Sequence, residues 1–294
     1  MRYVDAHHHI WRMRDLPWLS GPMIPRIFGE YESLRGDYTG ADYGAAAEAH
    51  GFSQSVYVQA NWPLERSVDE VVWVHSQHEE TGWPDAIVGS ADLFDPKAGA
   101  TLEAQAKISP LMRGCRLQLH WHENPDFRFQ PDPDRLADPI LNENLGLLAE
   151  LDWIFELQVF PAQIEHAKRL VEAHPDLTFV LIHAGMPIAG EPWRDALSAL
   201  SAYPNVMVKL SGQGTFVHKA DPEIVRTVTT AVLERFGSER AMFGSNFPIE
   251  SIWTDFSSLI SAWLGVLAEF PDETREDVLG RTARRVYRLE EDHG

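Results

Sequence analysis

The chain has 294 residues, 44% hydrophobic and 23% charged, which suits a globular protein with a sizeable core. Its formal net charge of −19, uninterrupted by any Lys/Arg run, argues against a nucleic-acid partner. A single cysteine, Cys115, rules out an intrachain disulfide, and the start of the chain carries no apolar leader, so a cytoplasmic setting is expected. No stretch reaches the ~18 apolar residues of a membrane span, and no membrane partner is expected.

In chain order, short apolar runs predict strands over residues 3–9, 54–60, 86–92, 112–121, 153–160, 178–184, 206–211 and 240–244. Helical patterns fall between them, including 66–79, 161–174, 224–236 and 256–269, and 271–290 reads as a closing helix. Eight strands with helices between them is the count that closes a parallel barrel. The expected fold is therefore α/β, a (β/α)8 TIM barrel running through 1–294 as a single domain with a C-terminal helix. An open doubly wound sheet would show a Gly-rich phosphate turn after the first strand, where this chain has three histidines. Segments 11–39 and 122–139 are rich in Pro and break the rhythm. Both follow strands, so on a barrel they lie over the C-terminal face as lid or specificity loops.

Strand one carries the strongest chemical signal. Simple alternation puts Tyr3, Asp5, His7 and His9 on one face and Val4, Ala6 and His8 on the other, so Asp5, His7 and His9 are expected to point inward. Two imidazoles at i and i+2 near a strand's end can share one metal ion or one substrate group. His183 ends an apolar strand just before a Gly/Pro turn, the position of a catalytic residue on a barrel. In strand four Arg116, Gln118 and His120 share a face, as do Glu156 and Gln158 in strand five, while Gln59 and Asn61 close strand two and Lys209 and Ser211 lie on strand seven. Arg116, Gln118, His120, Gln59 and Gln158 are the expected substrate-binding residues. Arg116, Glu156 and Lys209 also read as a structural network, since buried charges need partners. His122 opens the long loop and is a candidate catalytic residue. Gly244 and Ser245 allow a tight exit from strand eight that presents Asn246 to the mouth.

The Asp-Ala-His-X-His start at residue 5, the His183 strand, Lys-Leu-Ser-Gly at 209–212 and Phe-Gly-Ser-X-Phe-Pro at 243–248 resemble the amidohydrolase superfamily. Within it they resemble the branch of sugar lactonases and 2-pyrone-4,6-dicarboxylate lactonase, and Val58-Gln59-Ala60 and the segment from Gly89 support the same branch. The resemblance covers essentially the whole chain. It implies a barrel and lactone hydrolysis, with His7, His9 and His183 standing for the family's histidines, which bind a metal or polarise the substrate carbonyl without one. The family pattern carries Asp, the expected general base, where this chain has Asn246. An amide has no useful proton affinity near neutral pH, so Asn246 cannot take that role.

The expected function is a hydrolase opening a small carboxylated lactone in sugar or aromatic catabolism. His7, His9 and His183 polarise the carbonyl, Arg116 binds a carboxylate, and Asn246 orients substrate or water. Water activation falls to His122, or to Glu250 if the exit loop folds back. A metal, if present, is a weakly held divalent ion, with zinc the first choice and Glu156 the reserve anionic ligand. The alternatives are a decarboxylase or hydratase, and a ligand-binding barrel that lost catalysis with its Asp. The expected partner is a small acidic molecule, and a homo-oligomer stays open.

Overall fold

Residues 2–290 are described in a computed structural model. Eight strands lie in one sheet in sequence order: β1 Tyr3–His8, β2 Phe52–Val58, β3 Ala86–Gly89, β4 Met112–Arg116, β5 Ile154–Leu157, β6 Phe179–Leu181, β7 Val206–Leu210 and β8 Ala241–Phe243. Every neighbouring pair along the sheet is parallel. Just past β8 the chain stitches itself to β1. The Asn246 amide donates to His7 O at 2.7 Å and the His9 amide to Phe247 O at 2.7 Å. This is the (β/α)8 barrel that the alternating pattern predicts.

A longer helix follows each strand: α1 Gly40–Glu48, α2 Ser67–Thr81, α3 Ala98–Ile108, α4 Pro139–Glu150, α5 Ile164–Ala173, α6 Trp193–Ser201, α7 Pro222–Phe236 and α8 Phe256–Leu267. Two of them start on an Asp-Pro pair for a clear reason. Asp138 and Asp221 accept from the amides of Ile140 and Glu223, while the following proline lacks the N–H that would otherwise be orphaned. Among the described residues, no helix is long and apolar enough to cross a membrane.

The strands are shorter than the apolar runs that announce them. The run at 112–121 leaves the ladder after Arg116, and that at 178–184 leaves it after Leu181. Past Leu181 the backbone tightens, with His183 and Ala184 at φ 51° and 50°. Such left-handed geometry costs a non-glycine residue ~1 kcal/mol or more and is usually found where side chains are aimed for function.

Alternation in β1 also fails, because the register with β2 shifts between Asp5 and His8. Val4 and Ala6, expected on the helix side, join an interior apolar cluster with Val56, Val58, Val88, Val180 and Met242. Asp5, expected inward, turns to the outside and the seam. Its carboxylate accepts from Tyr43 Oη of α1 at 2.9 Å and from the Ser245 amide at 2.8 Å. His8 stacks on Tyr43 with ring centroids 3.6 Å apart. His7 therefore remains inside, one step past the irregularity.

The tail forms Asp272–Glu276, a wider-wound turn at Asp277–Arg281, and α9 Thr282–Tyr287. It crosses the N-terminal end of the barrel. Arg113 Nε donates to Tyr287 O at 2.8 Å, and Arg284 Nε to Gln54 Oε1 at 2.8 Å. Ala283, Val286, Tyr287 and Leu289 complete the interior cluster and close the barrel floor.

Candidate active site

The C-terminal ends of the strands open into a cavity of about 310 Å³. β4 contributes Arg116, and the exits of β1, β4, β5, β6 and β8 contribute His9, Gln118, His120, Gln158, His183 and Asn246. The loops at 11–39 and 122–139 lean over the same mouth with Trp18, Arg26 and Phe28 from one, and Phe127, Arg128 and Phe129 from the other. The first loop is well fastened. Trp11 Nε1 donates to Gly36 O at 2.9 Å, Tyr31 Oη to Trp18 O at 3.1 Å, and buried Asp15 is held by Arg12 and Arg66.

His9 donates its Nδ1 proton to Val58 O at 2.7 Å, since a carbonyl only accepts. Its Nε2 is then an acceptor. His183 Nδ1 lies 3.0 Å from Ser211 Oγ, a hydroxyl able to donate to it and leave Nε2–H free. The His183 ring sits against the backbone after β7, where Gly212 has φ +70° and a Cβ would overlap the imidazole. Burial and the Arg116 charge hold both imidazoles well below the usual range, so both are neutral at pH 7.

His7 does not line the cavity. It lies beneath, with its ring centroid 5.1 Å from that of His9 and 4.9 Å from that of His183, and neither ring nitrogen has a hydrogen-bond partner. Its Nδ1 is 4.0 Å from Glu156 Oε2. Glu156 is in turn held by Lys209 and by Tyr287 Oη at 2.8 Å, so a polar column runs from the tail helix to the site.

Two other expected residues fall outside the cavity. Gln59 turns its side chain onto the Asn61 amide at 2.6 Å, and only its carbonyl serves the site by accepting from Arg116 Nη2 at 2.5 Å. His122 lies 2.9 Å from Glu191 Oε1 and packs on Phe160 and Phe127. Neither side chain lines the cavity. Sequence reasoning in turn missed Arg26, Arg128 and Thr215. The two arginines were visible as cations inside loops placed over the mouth, but nothing in the pattern said which loop side chains turn inward.

The profile of the Amidohydrolase family matches residues 4–289. The chain is 28% identical over 304 residues to an L-fucono-1,5-lactonase of Burkholderia ambifaria, covering 99% of this chain and 97% of that protein. Among solved structures it resembles an amidohydrolase from Burkholderia multivorans with bound zinc, at TM-score 0.82 and 25% identity over 99% and 100% of the two chains. It also resembles a Pseudomonas putida protein assigned as a 2-pyrone-4,6-dicarboxylic acid hydrolase, at TM-score 0.68 and 26% identity over 98% of each.

The zinc of that relative poses the question of fit here. Among the described residues, no group of three or more His, Cys, Asp and Glu is arranged to hold a metal ion. The anionic position is an amide, Asn246, and Arg116 shares the cavity with the two imidazoles. The one nearby carboxylate of the column, Glu156, is held through Oε1 by Lys209 and Tyr287, while its Oε2 has no hydrogen-bond partner and lies 4.0 Å from His7 Nδ1. His7, His9 and His183 cluster but are not set out as a ligand triad. Neutral imidazoles with an amide at the strand-eight position make a weak donor set for a divalent cation.

Proposed function

The chain belongs to the amidohydrolase family, and from that premise we propose that it opens a small lactone or related cyclic ester bearing a carboxylate. One observation carries the acidic substrate. Arg26, Arg116 and Arg128 line a single cavity, each with a buried Nε that has no hydrogen-bond partner, and none forms an ion pair among the described residues. Arg116 is the buried one of the three, with only the more distant Glu156 and Glu70 carboxylates to offset its charge, and an anion entering the mouth supplies the direct partner it lacks. Arg116 is 3% exposed and lies at the depth of the imidazoles, which makes its planar fork the first carboxylate site.

The reacting carbonyl then meets His183. With Nδ1 accepting from Ser211, Nε2–H donates to the carbonyl oxygen and stabilises the charge that develops there as water attacks. Arg116 adds a fixed positive charge. Trp11, Trp18, Phe28 and Phe129 surround the ring of the substrate and exclude bulk water.

The test compares the dicarboxylated pyrone lactone with neutral L-fucono-1,5-lactone, the substrates named for the relatives, in wild type and Arg116→Met. For the anionic lactone KM should rise by about 10–100-fold, the usual worth of a charge-assisted hydrogen bond. Arg116→Lys should fail to restore it, because an ammonium cannot form the fork. A wild type that prefers the neutral lactone, with Arg116→Met unaffected, removes the case for an acidic substrate.

A further inference from the structure

With Asn246 in the mouth, the hydrolase reading lacks a group that removes a proton from water. We propose that Glu250, reached through the Thr215 hydroxyl, is that proton acceptor. The inference rests on the lactone-hydrolase reading and supplies its missing step.

Glu250 lies in the turn Ile249–Ile252 and is 1% exposed. Its carboxylate accepts from Asn246 Nδ2 at 3.3 Å, from Thr215 Oγ1 at 3.5 Å and from the Gly214 amide at 3.1 Å. A Cβ on Gly214 would overlap Glu250 Oε2, so glycine there permits the approach. Thr215 and Asn246 both line the main cavity, whereas Glu250 does not. Thr215 and Asn246 are thus the cavity-lining residues that hydrogen-bond to Glu250. The amide of Asn246 has no proton affinity to lend, but the Thr215 hydroxyl both accepts and donates. Asn246 has a different task. Its Nδ2 is turned to Glu250, which leaves Oδ1 as its acceptor for water or substrate.

The other candidate bases are weaker. Burial and Arg116 hold His9 and His183 well below the usual range. Desolvation instead pushes the Glu250 carboxyl up to about 7, close to what a base at neutral pH needs. The charged and titratable groups packed around this turn are otherwise occupied. Lys219 pairs with Asp221 at 2.7 Å, Glu32 with Arg35 at 3.2 Å, and His218 Nε2 contacts Ile27 O at 2.8 Å.

In the reaction, the water oxygen bonds to the lactone carbonyl carbon. Its proton moves to Thr215 Oγ as the hydroxyl proton moves to Glu250. The ring C–O bond then breaks, and the leaving oxygen takes that proton back from Glu250 through the Thr215 hydroxyl, giving a hydroxy acid and an ionised Glu250 with no other reactant.

The experiment measures hydrolysis of the two lactones against pH in wild type, Glu250→Gln, Thr215→Val, Thr215→Ser and the exchange Glu250→Gln/Asn246→Asp. Glu250→Gln should lose about 100-fold in kcat/KM with circular dichroism unchanged, and should lose the limb where activity falls as pH drops through about 7. Thr215→Val should lose at least tenfold, and Thr215→Ser should retain activity. The exchange puts the carboxylate on the cavity wall and the amide behind it, and should regain tenfold or more over Glu250→Gln, with its limb moved to lower pH. Wild-type rate and an intact limb in Glu250→Gln, or no loss in Thr215→Val, overturns the proposal while the lactonase reading stands. A folded wild type inactive on both lactones overturns that reading first, and this step with it.

Discussion

Gly212 joins backbone geometry to chemistry at a single residue. Its φ of +70° is open to glycine, and the space a Cβ needs is filled by the His183 ring. His183 is itself held in a left-handed conformation, with Trp193 Nε1 donating to Ala184 O at 2.6 Å to fix the turn. Gly212→Ala should therefore act twice. The left-handed backbone costs ~1–2 kcal/mol, and the added methyl pushes the imidazole away from Ser211. Thermal unfolding should shift down by several degrees, and kcat/KM should fall by at least tenfold. Unchanged values of both would mean the ring does not sit where Ser211 and Gly212 hold it. The same residue pair shows what the pattern of letters could not supply. His183 was legible as a strand-end histidine, but the glycine that shapes its seat is a neighbour only once β6 and β7 lie side by side.

Among the elements, the strand order, four of the helices that follow strands and the two loops over the mouth follow from periodicity and proline content, because these depend on near neighbours. The facing of β1 does not. Strict alternation sends Asp5 inward, yet the irregularity between Asp5 and His8 turns it to Tyr43 and the seam. The tail was legible as a helix but not as the barrel floor, since its partners on β1, β2 and β4 are far away in sequence. Nor did any local signal show that Tyr287 reaches Glu156. That contact links α9, β5 and β7 through the fully buried Lys209–Glu156 pair. Lys209→Met leaves a carboxylate with Tyr287 but no cation, and should cost ~3–5 kcal/mol in urea unfolding. Lys209→Met/Glu156→Leu removes both charges and should recover most of that loss. A double variant as unstable as the sum of the single variants would show that the pair is not coupled.

For the whole molecule, the buried polar groups set how stability responds to pH. His7, His8, His9, His120 and His183 are buried, and desolvation is the leading cause lowering each. As pH falls below the ~6.5 of a free histidine, the unfolded chain takes up five protons that the folded chain refuses. Desolvation shifts Asp5 up to about 6 and Glu250 up to about 7, and raises Glu70 as well. These carboxyls work in the opposite sense: the folded chain keeps their protons at a pH where the unfolded chain has lost them, and that stabilisation disappears as pH rises through about 7. Five protons against two or three leaves the unfolded state ahead by two or three. Stability should therefore peak near neutrality and fall by about 3–4 kcal/mol per pH unit between pH 6 and pH 5. His120 offers a clean probe, because its buried ring packs on Phe129 and Phe160 and its Nδ1 has no partner. His120→Leu keeps the packing and removes one of the five protons. Urea unfolding at pH 6.0, 5.5 and 5.0 should show its slope reduced by about 1.4 kcal/mol per pH unit. An unchanged slope would mean that His120 is protonated alike in the folded and unfolded chain, and that its burial does not govern its charge.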